Sequence, residues 1–439
     1  MMIKGDKKTI NAWALYDWAN STYSLVITSA LFPIYFHAKT TTGLSNNVEF
    51  LGTIWNSESL QMYCISLAFL FIAALNPLLS SIADFSGRKK RFMYFFSTLG
   101  AVSCASLYFF ESLNTLWIGI LGSILAAIGY AGSIVFYNAF LPEIAEEKDQ
   151  DKVSAKGFAM GYLGSSLLLI FSLTMILFPK WYGGITADFA TRLAFLLVGV
   201  WWFSFAQYSF KHLKDEPSER SRDGHYIFNG YLELKKVWRE LKESGKLKSY
   251  LVSFFFFNMG VQTVMYAASL FGSAELKLDS SILIIIILII QFVAIAGAYW
   301  FSYLSKKFGN LKALSIAIII WIFVCIGAFF CNKKYGIDEQ TMFMILAAVV
   351  GLVMGGIQSL SRSTYSKMLP ETIDHASYFS FYDVCDKLGT VIGTFAFGII
   401  NEETGSMRSS IIVLAVFFII GLFLLLRVRK LHSTEMNFS

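Results

Sequence analysis

A chain of 439 residues that is 56% hydrophobic and only 15% charged, with a net charge of +6, is not built like a soluble domain, in which about a quarter of residues are charged. Its apolar residues come in blocks of roughly twenty, the length that crosses the hydrocarbon core of a bilayer. Its basic residues cluster in short loops between these blocks, so they read as topology signals and not as a nucleic-acid surface.

Residues 1–8 are basic and lead into an apolar run that is too long and too decorated for a cleaved signal peptide, so it is read as a retained helix. Spans are predicted at 12–36, 58–82, 92–110, 115–137, 153–178 and 190–210, then at 249–272, 281–304, 312–331, 341–362, 376–400 and 407–427. The longest polar stretch, 211–248, separates six spans from six. The expected architecture is all-α, with twelve transmembrane helices in two pseudo-symmetric six-helix bundles, at 1–210 and 249–439. With the N-terminus in the cytoplasm, the cytoplasmic loops hold most of the 36 Lys and Arg, so both termini and the central loop are expected there. Within that loop Tyr231, Leu234, Trp238 and Leu241 recur at helical spacing among Lys235, Lys236, Arg239 and Lys242, an amphipathic helix suited to lipid headgroups or to tethering the halves.

The halves echo each other. Tyr137 to Glu143 and Tyr365 to Glu371 both read Tyr-x-x-x-Leu-Pro-Glu, and the loop holding Ser80, Asp84, Gly87, Arg88 and Lys89 has a weaker echo at Ser302, Lys306 and Gly309. Duplicated helical units are typical of secondary transporters, whose sites lie between the repeats near the bilayer midplane.

Ionisable groups inside a membrane are costly and usually have a task. In the first helix Asp17, Asn20, Ser21, Ser24 and Thr28 form one polar stripe, with Asp17 either binding a substrate ammonium or a proton, or holding a neighbouring helix. The fourth offers Tyr130, Ser133 and Tyr137, the seventh Asn258, Gln262, Tyr266 and Ser269, and the tenth Gln358, Ser359 and Arg362. These stripes line a cavity or serve interhelical hydrogen bonds. The eleventh carries Asp383, Asp386 and Lys387. Lys387 is placed to pair with Asp383 at i, i+4, as a structural ion pair near the cytoplasmic mouth or as a substrate-carboxylate contact. The five cysteines and five histidines show no paired spacing, so neither a disulfide framework, a metal site nor a cofactor is expected.

Ser80-Ser-Ile-Ala-Asp84-Phe-Ser-Gly87-Arg88-Lys89 resembles the loop signature of the major facilitator superfamily. Asp17-Trp18-Ala-Asn20-Ser21, Asn138 to Glu143, Gly355 to Ser363 and Phe381-Tyr382 with Lys387 resemble the "unknown major facilitator" family, which includes the autophagy-related vacuolar amino-acid effluxers of fungi. Gly356 departs from an expected proline, and Lys306 from a common acid. The resemblance implies two bundles, alternating access, and a path lined by helices 1, 4, 7 and 10. It also implies a latch at Asp84, Gly87, Arg88 and Lys89, with Asp84 meeting a helix N-terminus or an arginine, and with Glu143 and Arg362 in gating. The expected function is secondary transport of a small polar organic solute, with amino acids as one class and H⁺ or Na⁺ as candidate coupling ions. The alternatives are a transport-inactive sensor or scaffold, or a membrane-embedded enzyme. No nucleotide-binding loop is present. A monomer in a bacterial plasma membrane is expected, from the compact loops and lack of targeting extensions.

Overall fold

The computed structural model describes residues 2–41, 47–215, 226–331, 338–404 and 406–438. The chain opens on a continuous helical rod made of α1 (Lys7–Thr22), a wider π-helical segment (Tyr23–Leu31) and α2 (Phe32–Thr40). An antiparallel hairpin follows, β1 (Asn47–Phe50) and β2 (Thr53–Asn56), in the register Asn47 to Asn56 and Phe50 to Thr53. Its turn residues Leu51 and Gly52 have φ of 55° and 74°, the left-handed pair that a two-residue hairpin needs.

Then come α3 (Ser57–Ser86), α4 (Lys89–Ser106), α5 (Leu116–Ala139), the single turn α6 (Leu141–Ile144), α7 (Gln150–Leu177) and α8 (Ala187–His212). After α9 (Tyr226–Glu243) the second half comprises α10 (Gly245–Leu270), α11 (Ser280–Phe308), α12 (Asn310–Phe329), α13 (Glu339–Met368), α14 (His375–Thr404) and α15 (Met407–Phe438). Most helices outrun their predicted spans. α8 and α10 reach into the stretch that hydropathy marks as polar, and α9 fills most of what lies between them.

Among the described residues ten helices are long and apolar enough to cross a membrane. The rod from Lys7 to Thr40 and α14 are comparably long but more polar, and they hide that polarity: Asp17, Asn20, Asp383 and Lys387 are all buried. Leu67, Phe71, Ile412, Ile419 and Phe423 are exposed, as expected of helix faces solvated by acyl chains. On these helices the charged and amide groups point inward, while apolar side chains fill the core and also cover the outer faces.

In the first half α1 packs on α7 and α8, α4 on α5 and α8, and α3 on α5. In the second, α10 packs on α14 and α15, α11 on α13, and α12 on α13 and α15. The halves meet along α3 with α14 and along α7 with α11 and α13. Small residues permit the closest approach. A Cβ on Gly351 would lie 2.6 Å from the Ile290 carbonyl oxygen, and one on Gly355 would overlap the Ala294 carbonyl. Backbone cannot step aside as a side chain can. Gly355→Ala is therefore expected to push α11 and α13 apart and to cost about 1–3 kcal/mol, read as a lower thermal-unfolding midpoint of the purified protein. A variant as stable as the parent would mean that these two helices do not touch there.

Candidate functional site

Asp6 caps α1 by accepting from the backbone N–H groups of Lys8 and Thr9. Two turns later the Trp13 indole donates to the Tyr137 carbonyl (2.9 Å) and stacks on the Tyr137 ring, with centroids 4.4 Å apart. This fixes α1 against α5. Asp17 lies one turn beyond Trp13 on the same face, so it meets the Tyr137 hydroxyl, which donates to it at 2.7 Å.

The cation for Asp17 comes from the other half. Arg362 on α13 is 3% exposed and reaches Asp17 Oδ2 at 3.5 Å, Asn138 Oδ1 at 3.2 Å, Ser154 Oγ at 2.9 Å and the Ser154 carbonyl at 2.9 Å. Its guanidinium also lies 4.2 Å from the Phe158 ring centroid and 4.8 Å from that of Trp13. Gly157 leaves room for this assembly: a Cβ there would sit 2.7 Å from Asp17 Oδ2 and 3.0 Å from an Arg362 nitrogen.

Above the pair, between the halves, lies a cavity of about 210 Å³. Asp17, Ser24, Tyr130, Asn258, Gln262, Tyr266, Gln358 and Lys387 line it, as do Arg362 and Asp386. The π-helical segment contributes Ser24, Thr28 and Ser29, and Tyr162 donates to Gln358 Oε1 at 2.6 Å. Asn20, Tyr137 and Asp383 are packed behind the wall and not on it. The Ser269 side chain lies outside the described residues.

On α14, Lys387 Nζ lies 2.6 Å from Asp386 Oδ2 and 3.5 Å from Asp383 Oδ1. The i, i+4 pair is present, and the neighbouring Asp386 is the nearer partner. Asp386 and Lys387 line the cavity, with Asp383 buried behind them. Asn258 and Gln262, one turn apart on α10, both donate to Asp386 Oδ1, at 2.8 and 2.7 Å. Asn76 on α3 donates to Asp383 Oδ2 at 2.8 Å. Asp17 and Lys387 thus face one cavity, each already paired within the protein.

One end of the cavity is sealed, at the end rich in Lys and Arg. Gly87, with φ of +65°, turns α3 into α4. Asp84 accepts from the backbone N–H of Ala376 (3.3 Å) and Ser377 (2.7 Å), in the first turn of α14. Lys89 pairs with Glu143, and Glu143 lies 3.0 Å from His375. Arg88 is exposed beside this cluster. On the opposite seam Asp151, at the start of α7, accepts from Ser305 Oγ, Asn310 Nδ2 and Lys367 Nζ, each at 2.7 Å. The acid absent at Lys306, which is exposed, is here supplied from the other half. The two Tyr-x-x-x-Leu-Pro-Glu copies diverge likewise: Glu143 is engaged in this network, while Glu371 is exposed.

The linker helix α9 lies across the same end. Val237 and Leu241 are buried, Trp238 meets the Phe381 ring at 5.5 Å, and Gly230 rests on Ile82. Lys236 reaches Asp374 at 3.3 Å, and the Tyr378 hydroxyl donates to Glu240 at 2.6 Å. Tyr231 and Trp238, read from the sequence as part of one apolar face with Leu234 and Leu241, are exposed. The buried face is rotated toward Val237 because α9 packs on α3 and α14.

Sequence reasoning left Asn76, Asp151 and Ser154 aside and met Asn138 only as part of a family motif. Each is a common polar helix residue, and only a partner from the other half marks it out.

The chain has relatives among known proteins. The family model described as "Vacuole effluxer Atg22 like" matches residues 5–436. The "Uncharacterized MFS-type transporter YxiO" of Bacillus subtilis is 32% identical over 442 residues, covering 99% of this chain and 98% of its own. Autophagy-related protein 22 of Kluyveromyces lactis is 26% identical over 398 residues, covering 84% and 79%. Among solved structures, the human organic anion transporter MFSD10 superposes with a TM-score of 0.70 at 12% identity, covering 96% of this chain and 100% of its own. The Escherichia coli fucose:proton symporter FucP superposes with a TM-score of 0.68 at 14% identity, covering 96% and 97%. These last two carry the fold alone. With a helical bundle of this shape and a family match along nearly its whole length, the chain belongs to the Atg22-like vacuole effluxer family of major facilitator superfamily transporters.

Proposed function

We propose that this protein is a secondary active transporter that carries a small polar organic solute, with amino acids as the leading class, by alternating access. The observation that carries the reading is the cavity between the halves, whose wall holds both signs of charge together with Tyr, Asn and Gln side chains. Such a wall solvates a zwitterion better than a sugar or an apolar solute, because each end of the solute can exchange with one member of an internal ion pair. The family model that matches the chain is described as a vacuole effluxer, which supports solute transport as the activity.

The sealed end supports a description of the conformational state. The polar ties between the halves at Asp84, Asp151 and Arg362 all lie on the basic side of the cavity, while Ser29 and Met265, farther from that side, are exposed. By the distribution of Lys and Arg the basic side is cytoplasmic. The protein is then outward-open in a bacterial plasma membrane, and inward opening requires these ties to break. A single chain encloses the whole cavity, so a monomer suffices. A coupling H⁺ or Na⁺ would enter the same space.

Purified protein in liposomes is expected to move at least one labelled member of a panel of the proteinogenic amino acids, and Gly157→Val, which fills the space beside Asp17 and Arg362, is expected to lower that flux at least tenfold. Absence of flux across the panel removes the amino-acid class. The lock itself has a stability signature. Arg362→Met strands Asp17 and is expected to cost about 3–5 kcal/mol, whereas the double variant Asp17→Asn with Arg362→Met should recover part of that loss. Thermal unfolding of the three proteins measures it, and equal losses in single and double variants would mean that the two groups are not coupled.

A further inference from the structure

The buried charges do not balance evenly. Asp17 pairs with Arg362 one to one, but among the described residues Lys387 alone pairs with both Asp383 and Asp386. Two carboxylates that share a single ammonium in a membrane interior leave one negative charge without a counter-charge, a state that proteins avoid by protonating one acid. Among the described residues no other cation pairs with either acid. α3 presents Asn76 and the ring of Phe69, α5 presents Tyr130, and α10 presents Asn258, Gln262 and Tyr266. From α9, Lys236 pairs with Glu233 and Asp374 and Glu240 accepts from Tyr378, and Arg408 at the start of α15 pairs with Glu275.

Hydrogen bonding says which acid holds the proton. Asp386 accepts from Lys387, Asn258 and Gln262, all within 2.8 Å, an environment made for an anion. Asp383 accepts from Asn76 Nδ2 and has Lys387 only at 3.5 Å. The other half of that amide, Asn76 Oδ1, is buried and faces no donor among the described residues. A buried acceptor without a donor calls for an explanation. A protonated Asp383 provides it, since a carboxylic acid and a primary amide can exchange two hydrogen bonds.

We propose that Asp383 is the seat of an exchangeable proton, held between Asn76 on the first half and Lys387 at the cavity wall, and that this proton is the coupling ion. The inference rests on the transport reading above for its role, and on geometry alone for its location. On loading, the Asp383 carboxylate takes one H⁺ and becomes a carboxylic acid whose O–H points at Asn76 Oδ1, and Lys387 turns wholly to Asp386. On unloading, the proton leaves to water and Lys387 is again shared. A sodium ion suits the position poorly, because a hard cation needs several oxygen ligands and Asp383 is approached by an ammonium and an amide N–H. The seat lies six residues along α14 from Ser377, roughly 9 Å by helical rise, so it stands between the cavity and the sealed end.

Infrared difference spectroscopy of substrate-free protein in liposomes, titrated with pH, tests the location independently of any flux. The parent is expected to show the carbonyl stretch of a protonated carboxyl that bleaches reversibly as pH rises. The band should be lost in Asp383→Asn, displaced in Asn76→Leu, and unmoved in Asn258→Leu, which touches only Asp386. The inference is overturned if the parent shows no titrating band, if the band survives Asp383→Asn, or if Asn258→Leu rather than Asn76→Leu displaces it. None of these results depends on which solute is carried, so a silent flux panel and a failed proton seat are separate outcomes.

Discussion

The arrangement depends on one insertion: a guanidinium from the second half buried among α1, α5 and α7 of the first. Arg362 cannot lose its charge, and a charge that deep is tolerable only if every side of it is met. Asp17 supplies the counter-charge, Asn138 and Ser154 take further N–H groups, and Trp13, Tyr137 and Phe158 offer ring faces. The demand propagates outward. Tyr137 must be held by Trp13, and position 157 must be glycine-sized because a Cβ would enter the ion pair. Under the alternating access proposed above, separating the halves at this end would expose all of these groups together.

The two seams on either side of Arg362 solve the same problem with opposite polarity. On the α3–α14 seam, the loop end supplies the acid, Asp84, and the start of α14 supplies backbone donors. On the α7–α11 seam, the start of α7 supplies the acid, Asp151, and the loop end supplies Ser305, Asn310 and nearby Lys367. Duplicated units need only conserve the meeting of a donor set with an acceptor. The first half carries the carboxylate at both seams; what differs is whether it sits at the loop end of α3 or at the start of α7, and Lys306 occupies the loop position that holds no acid in the second half. α9 then lies over the first seam alone, touching α3 on one side and α14 on the other.

Local signals made the bundle legible. Hydropathy fixes where helices run, and the polar stripe from Asp17 to Thr28 is visible because a lipid-facing helix could not carry it. What escaped depends on distance along the chain. Ser154 reads as an ordinary helix serine, and its meaning appears only when Arg362, 208 positions away, donates to it. Asn76 is equally plain until Asp383 arrives from 307 positions away. The hairpin at Asn47–Asn56 was missed for a different reason: it is short and mostly exposed, so it leaves no periodic apolar pattern. For α9 the periodicity was visible but its orientation was not. The sequence puts Tyr231 and Trp238 on an apolar face suited to lipid headgroups, and they are exposed, while Val237 and Leu241 are the residues that fit against the bundle.

The two charge clusters at the cavity differ in a way that separates structure from work. Asp17 and Arg362 are matched one to one and walled by aromatic rings, so moving either leaves the other stranded, and the pair changes only when the halves part. The α14 cluster is unmatched, and its members have alternatives: Lys387 can favour either acid, and Asp386 keeps Asn258 and Gln262 whichever way Lys387 turns. A site with interchangeable partners can respond to a bound proton or solute without unfolding its surroundings. Asp383 is also tied across the seam to Asn76, eight residues before Asp84 on the same helix α3. The cluster and the seal therefore share the helix pair α3 and α14, and under the alternating-access mechanism proposed above that pair would link what is bound to which side is closed.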